Sequence, residues 1–238
     1  MNSEAIGAQL CIRDIKEVEG LLRRTESHFR DTCDWIVNNV ERDAKAVIFH
    51  RILCACTNYI RIAADNLNGH ASVLGLATRN IYELRLRVEH MITCPQELES
   101  WQSEAATDKI QLMEAILGIQ ATPATDPRRQ ILANEIDRLR NLLRKHGLTE
   151  LTRLPSIASI AGTLGREEEH RSLFKLFSKL VHPSSYLVND YENAASDETF
   201  LILQSHVQLY SWDLFTRISD ALHVPEDIRH FDFQSQSA

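Results

Sequence analysis

His182 is the residue best placed to do chemistry. Pro183 follows it, so a helix reaching this point must stop there. That fixes the imidazole at a helix C-terminus, where the helix dipole favours a positive charge. Ser184, Ser185 and Tyr186 set three hydroxyls beside it. A poised histidine among hydroxyls can move protons. The same position also suits a histidine that only caps the last helical carbonyls.

A second constellation lies in Ala71–Met91. Arg79, Glu83, Arg87 and His90 recur at i, i+4, i+8 and i+11. Glu83 is within reach of either arginine along a helix. Val73, Leu74, Ala77, Ile81, Leu84, Val88, Met91 and Ile92 form a wide apolar stripe on the other side, and Leu76, Tyr82 and Leu86 flank the polar row. A helix apolar around most of its circumference is covered on most sides, and charges drawn in with it need partners. The row is either a structural ion-pair ladder or one wall of a polar pocket. Phe174–Val181 is apolar enough to be the cover, and it leads into His182. Arg79, Glu83 and His182 are therefore expected to meet at the interior end of a bundle as the candidate catalytic set. Arg87, His90, Ser184, Ser185 and Tyr186 are the candidate binding groups around them.

Other patterns are incomplete. Glu167-x-x-His170 has di-iron spacing, but no second such motif accompanies it. Ser172-x-x-Lys175 lacks the companion motifs of penicillin-binding enzymes. Phosphate-binding and dinucleotide-binding glycine loops, the nucleophile elbow and HExxH are absent. The five cysteines, Cys11, Cys33, Cys54, Cys56 and Cys94, include no CxxC pair. Cys54 and Cys56 would point about 200° apart on a helix, so they cannot share a metal from one face. All five are expected as reduced, mostly buried thiols, with no metal and no cofactor.

The elements that must position these groups are helices. The chain has 238 residues, 44% hydrophobic, with only 8 Gly and 6 Pro. Sparse turn residues and long periodic runs predict an all-α bundle of about eight helices. Predicted helices cover Ser3–His28, Phe29–Val40, Glu41–Leu67, His70–Thr93, Pro95–Leu117, Pro127–His146, Pro155–Gly165, Arg166–Val181 and Asp197–Leu222, with a short segment from Tyr186. Leu132, Ile136, Leu139 and Leu143 form a coiled-coil-like seam. It makes residues 97–146 a hairpin arm within a single domain over 1–224, with a loose tail over 225–238. The seam also predicts self-association through the arm.

Net charge is −7, and Asp190–Ala238 carries all of it. Pro127–Arg153 is the one basic section, at +4. This balance argues against a nucleic-acid partner. The N-terminus has no continuous apolar core of a signal peptide. The most apolar run, Ala44–Ala64, is broken by Lys45, His50, Arg51, Asn58 and Arg61, so no membrane span is expected. A cytoplasmic location follows as the expectation.

Arg79-x-x-x-Glu83, followed by a helical arm and then Ser178-Lys179-x-x-His182-Pro183-Ser184, resembles a family of bacterial all-helical proteins catalogued as a domain of unknown function. The resemblance covers roughly residues 45–215. It implies architecture and candidate positions rather than a reaction. Some such proteins look like distant relatives of HEPN ribonucleases, which cleave RNA without metal using an Arg and a His four to six residues apart. Four pairs have that spacing here: Arg23/His28, Arg85/His90, Arg140/His146 and Arg217/His223. Arg140 and His146 fit best, because Asn141 follows the arginine and both lie on the basic arm. Residues six apart on a helix nevertheless point about 240° away from each other. The leading expectation is a non-catalytic cytoplasmic interaction or regulatory protein. The alternative is a HEPN-like metal-independent ribonuclease acting as a defence or toxin-type effector.

Overall fold

Asp14 opens the first described helix, its carboxylate accepting a hydrogen bond from the Lys16 amide at 2.9 Å. This computed structural model describes residues 11, 14–119, 126–153 and 155–233. Helix α1, Ile15–Asn39, runs unbroken through Phe29, where the sequence suggested two helices. Nothing at His28-Phe29 interrupts the hydrogen-bond ladder, and Phe29 is fully buried. The expected start at Ser3 lies outside the described residues. The helix ends where Asn38 and Asn39 donate side-chain amides to the carbonyls of Asp34 and Trp35.

Asp43 caps α2, Ala44–Asp65, accepting from the Ala46 amide at 2.7 Å. Asn66 ends it, and α3, Ala71–Thr93, follows after the Asn66–Gly69 turn. Pro95 closes α3, as a proline must.

The chain divides into two compact units, one spanning Cys94–Ser156 and the other comprising the residues before and after it. The Cys94–Ser156 unit is a helical hairpin of α4, Glu97–Gly118, and α5, Pro127–Lys145. Asp126 caps α5 with Pro127 in its first turn, and Gly147, at φ +68°, ends it. Ile110 and Met113 pack against Ile136, Leu139 and Leu143. The predicted seam is thus consumed inside the hairpin and leaves nothing over for a partner. Most of the linker expected between these helices, residues 120–125, lies outside the described residues.

The other unit adds α6, Ile157–Thr163, α7, Glu167–Val181, α8, Ser185–Asn189, α9, Tyr191–Ala194, α10, Asp197–Ala221, and α11, Glu226–Arg229. Helix α3 is its axis, packed by α2, α7 and α10, with α1 laid against α2. Leu74, Ala77, Ile81, Tyr82, Leu86 and Val88 are buried around α3, so it is covered on most sides as its composition requires. Among the described residues there is no strand, and eight helices have seven residues or more. No helix there is long and apolar enough to cross a membrane.

Within residues 225–233, where the sequence suggested a loose tail, two aromatic rings rest on the unit while the other residues are mostly exposed. Phe231 and Phe233 lie 4.8 and 5.0 Å from Trp212, ring centre to ring centre. His28 sits among Phe29, Trp212, Phe215 and Phe231. Three large apolar rings gain cover there, which offsets the cost of ordering a short segment. The last five residues lie outside the described ones.

Candidate functional site

A polar seam is buried along α3, and its centre is Arg85, which is not a member of the expected row of Arg79, Glu83, Arg87 and His90. Arg85 falls within the buried side of α3, and its side chain is only 6% exposed. A guanidinium held so deep requires opposite charges close by. Asp213 on α10 accepts from Arg85 Nε at 2.5 Å, and Glu89, one turn on along α3, lies 3.2 Å away. Glu89 also takes two hydrogen bonds from Arg166, at 2.9 and 3.0 Å, and pairs with Arg217 at 3.5 Å. Arg217 reaches back to Asp213 at 3.0 Å, and Arg166 reaches Glu169 at 3.3 Å. Tyr210 donates its hydroxyl to Glu169 at 2.8 Å and lies under the Arg85 guanidinium.

Three guanidiniums therefore meet three carboxylates at the junction of α3, α7 and α10. Burial alone would raise the Asp213 carboxyl, yet Arg85 and Arg217 outweigh it and hold the group below its ordinary value. Burial pushes the Tyr82 and Tyr210 phenols up, so both stay neutral.

Arg79 and Glu83 pair with each other at 2.7 Å farther along α3. Helix α7 covers them, as expected, with Phe174 against the Arg79 guanidinium. The imidazole brought to this pair is His170, not His182. Glu83 and Arg79 both act on His170 electrostatically, and burial, the largest influence, lowers its pKa, so it is neutral at pH 7. His170 stacks on Tyr82, and the Tyr82 hydroxyl and His170 Nδ1 are buried without a hydrogen-bond partner.

His182 lies twelve residues beyond His170, at the exposed end of α7. Among the described residues, no hydrogen bond, ion pair or ring contact joins it to Arg79 or Glu83. The expected trio is therefore not assembled: the last turn of α7 reaches α3, but His182, just past it, is exposed. Gly75 of α3 packs against Leu180 and Val181 there. Ser184 serves the backbone: it caps α8 through the Leu187 amide and donates to the Lys179 carbonyl. Ser185 and Tyr186 are exposed on α8, and Arg87 and His90 are half-buried on α3.

Neither Arg140 with His146 nor Arg23 with His28 converges. Arg140 is held between Glu150 at 2.9 Å and Glu114 at 2.7 Å, while His146 is exposed at the end of α5. Arg23 binds Asp65, whereas His28 faces the aromatic cluster. Arg85 and Arg217 belong to the ion-pair cluster.

Away from the seam, three ligand-type atoms meet between α1 and α2. The sulfurs of Cys33 and Cys54 and a ring nitrogen of His50 all lie within 4.8 Å of one another. As the sequence suggested, Cys54 and Cys56 part ways, Cys56 being fully buried.

A family of unknown function, DUF5677, matches residues 46–199. The chain belongs to that family. The matched stretch includes Arg79, Glu83, His170 and His182, whereas Asp213 and Arg217 lie beyond it. Membership brings no reaction with it. No curated protein and no solved structure matches the chain.

Proposed function

We propose that the protein is a non-catalytic helical interaction protein whose hairpin arm docks a second copy of the same chain. One observation carries this reading: the hairpin exposes a second apolar face, distinct from its core. Leu112, Ile116 and Ile119 recur at i, i+4 and i+7 along α4 and its cap, and Leu112 is 62% exposed. On α5, Ile131, 65% exposed, and Leu142 lie eleven residues, three turns, apart.

Both stripes belong to one flank. Lys109 shares a face with Leu112 and Ile116, and Glu135 shares one with Ile131 and Leu142, by helical spacing. Lys109 and Glu135 bond each other at 2.8 Å. Arg140, Glu114 and Glu150 occupy another flank. An apolar stripe bordered by charges is what a helix-on-helix interface needs, and a self-complementary patch closes as a twofold dimer.

Two further features support a binding role over a catalytic one. The buried seam has its charges matched internally, which is the work of a structural ion-pair cluster. The basic arm spends its cations at home: Arg128 on Asp126, Arg138 and Lys109 on Glu135, Arg140 on Glu114 and Glu150. That reduces the charge left to neutralise phosphates.

Sedimentation equilibrium at micromolar concentration tests the proposal. A dimer is expected, and Leu112→Glu with Ile131→Glu should leave a folded monomer. A wild-type monomer, or a variant that dimerises unchanged, overturns it.

A further inference from the structure

The strongest unassigned cluster is Cys33, His50 and Cys54. His50 and Cys54 are four residues apart on α2, so they share a face. Cys33 comes to that face from α1, which packs along it. Cys54 Sγ lies 3.5 Å from His50 Nε2. In a tetrahedral zinc site, bonds of roughly 2.3 Å to sulfur and 2.0–2.1 Å to nitrogen set the sulfur–nitrogen edge at about 3.6 Å and the sulfur–sulfur edge at about 3.8 Å. The Cys54–His50 edge already has that length. The other two edges are bounded at 4.8 Å, so small side-chain rotations complete the triangle.

We propose that Cys33, His50 and Cys54 form a three-ligand site for a zinc-class divalent ion, with a fourth position open to solvent or an oxygen ligand. Two thiolates and an imidazole select zinc or cobalt over magnesium and calcium, which want oxygen. His50 also lines a cavity of about 260 Å³ with Val37, Arg42, Val47 and Arg51. The site holds two donors on one helix and a third on its neighbour, so an ion clamps α1 to α2. Binding converts each thiol to thiolate and releases its proton to solvent, two protons for one divalent ion.

Cobalt titration of the reduced, chelator-stripped full chain under anaerobic conditions is the test. One equivalent of Co2+ should produce the thiolate-to-cobalt charge-transfer band and the intense visible bands of a tetrahedral ion, and Zn2+ should abolish both. Cys54→Ser should weaken the charge-transfer band and lower affinity at least ~tenfold, since even outer-shell changes cost that much. Cys94→Ser should leave the titration unchanged. Far-ultraviolet circular dichroism establishes that each variant is folded, and His50→Ala serves if Cys54→Ser is not. Absence of the charge-transfer band in folded wild type overturns the proposal. So does a folded Cys54→Ser or His50→Ala variant that titrates like wild type, because the ion then sits elsewhere. Isolation of the protein with a Cys33–Cys54 disulfide that binds no cobalt after reduction overturns it as well, and marks the pair as a redox couple.

Discussion

Arg85 and Asp213 are 128 positions apart in the chain and 2.5 Å apart in the fold. Their bond joins α3 to α10 inside a cluster that also draws in α7. Asp213→Asn should leave the Arg85 guanidinium dependent on Glu89 alone. The expected loss is roughly 2–4 kcal/mol, near the lower edge for a broken buried pair, because one carboxylate remains. Urea denaturation measures it. Pairing Arg85→Met with Asp213→Leu should cost less than the two single changes added together, since no charge is then stranded. Additive losses would show that the two residues act independently.

Stability should fall as the pH drops below about 6.5. Burial lowers the pKa of His28, His50 and His170, so the folded protein binds fewer protons than the unfolded chain below that value. The stability they contribute is full above the unfolded pKa and declines as pH falls toward the lowered folded values. Asp213 acts at more acid pH in the same sense: its depressed carboxyl supports folding above its ordinary range and ceases to as it protonates. His28→Leu should flatten the pH dependence of the melting temperature between about pH 7 and 5. An unchanged slope would remove His28 from the account.

Glu83→Gln should destabilise by about 1 kcal/mol, because Arg79 loses its counter-charge at a site about a quarter exposed. His182→Ala should change stability by less than about 0.5 kcal/mol, as for most exposed positions. Thermal melts of the two variants provide the contrast. A Glu83→Gln melt superimposed on wild type would mean that the pair is solvated rather than covered by α7.

Gly75→Ala should be accepted. A methyl there would lie 3.5 Å from Leu180 Cβ and 3.7 Å from Val181 Cγ2, ordinary contact distances. Alanine also favours a helix interior over glycine by up to about 1 kcal/mol. The melting temperature should hold or rise. A clear drop would show that α3 and α7 approach more closely than these distances describe.

The helices were legible because their periodicity and their stops are local. Pro95, Pro183, Gly147 and the Asn66–Gly69 turn each mark an end that the fold uses. Arg79 and Glu83 were legible as a pair for the same reason, being one turn apart. Arg85 enters the sequence reading only as half of an Arg–His pair, although its position among Ile81, Tyr82 and Val88 is a signal: a charge inside an apolar stripe implies a distant partner. Which partner could not be read, since Asp213 is on the last long helix. Phe174 of α7 lies against Arg79, but the register of α7 is not legible in the sequence. Apolar residues recur all along α7, and nothing in their spacing states whether His170 or His182 meets the pair. The meeting of Cys33 with His50 and Cys54 is not legible in the spacing within one element, because Cys33 comes from the neighbouring helix.

The Cys94–Ser156 hairpin interrupts the unit whose axis is α3, and this has a consequence during synthesis. The hairpin closes on contacts close in sequence and can form once its own second helix is made. The surrounding unit cannot. Arg85 is translated long before Asp213, Arg217 or Tyr210 exists, so α3, with only Glu89 beside Arg85 and α2 already made, must wait for its partners on α10. Completion comes only with α10. A nascent chain stalled between Ser156 and Asp197 would carry a finished arm on an unfinished body, the state in which chaperone capture and aggregation compete most directly with folding.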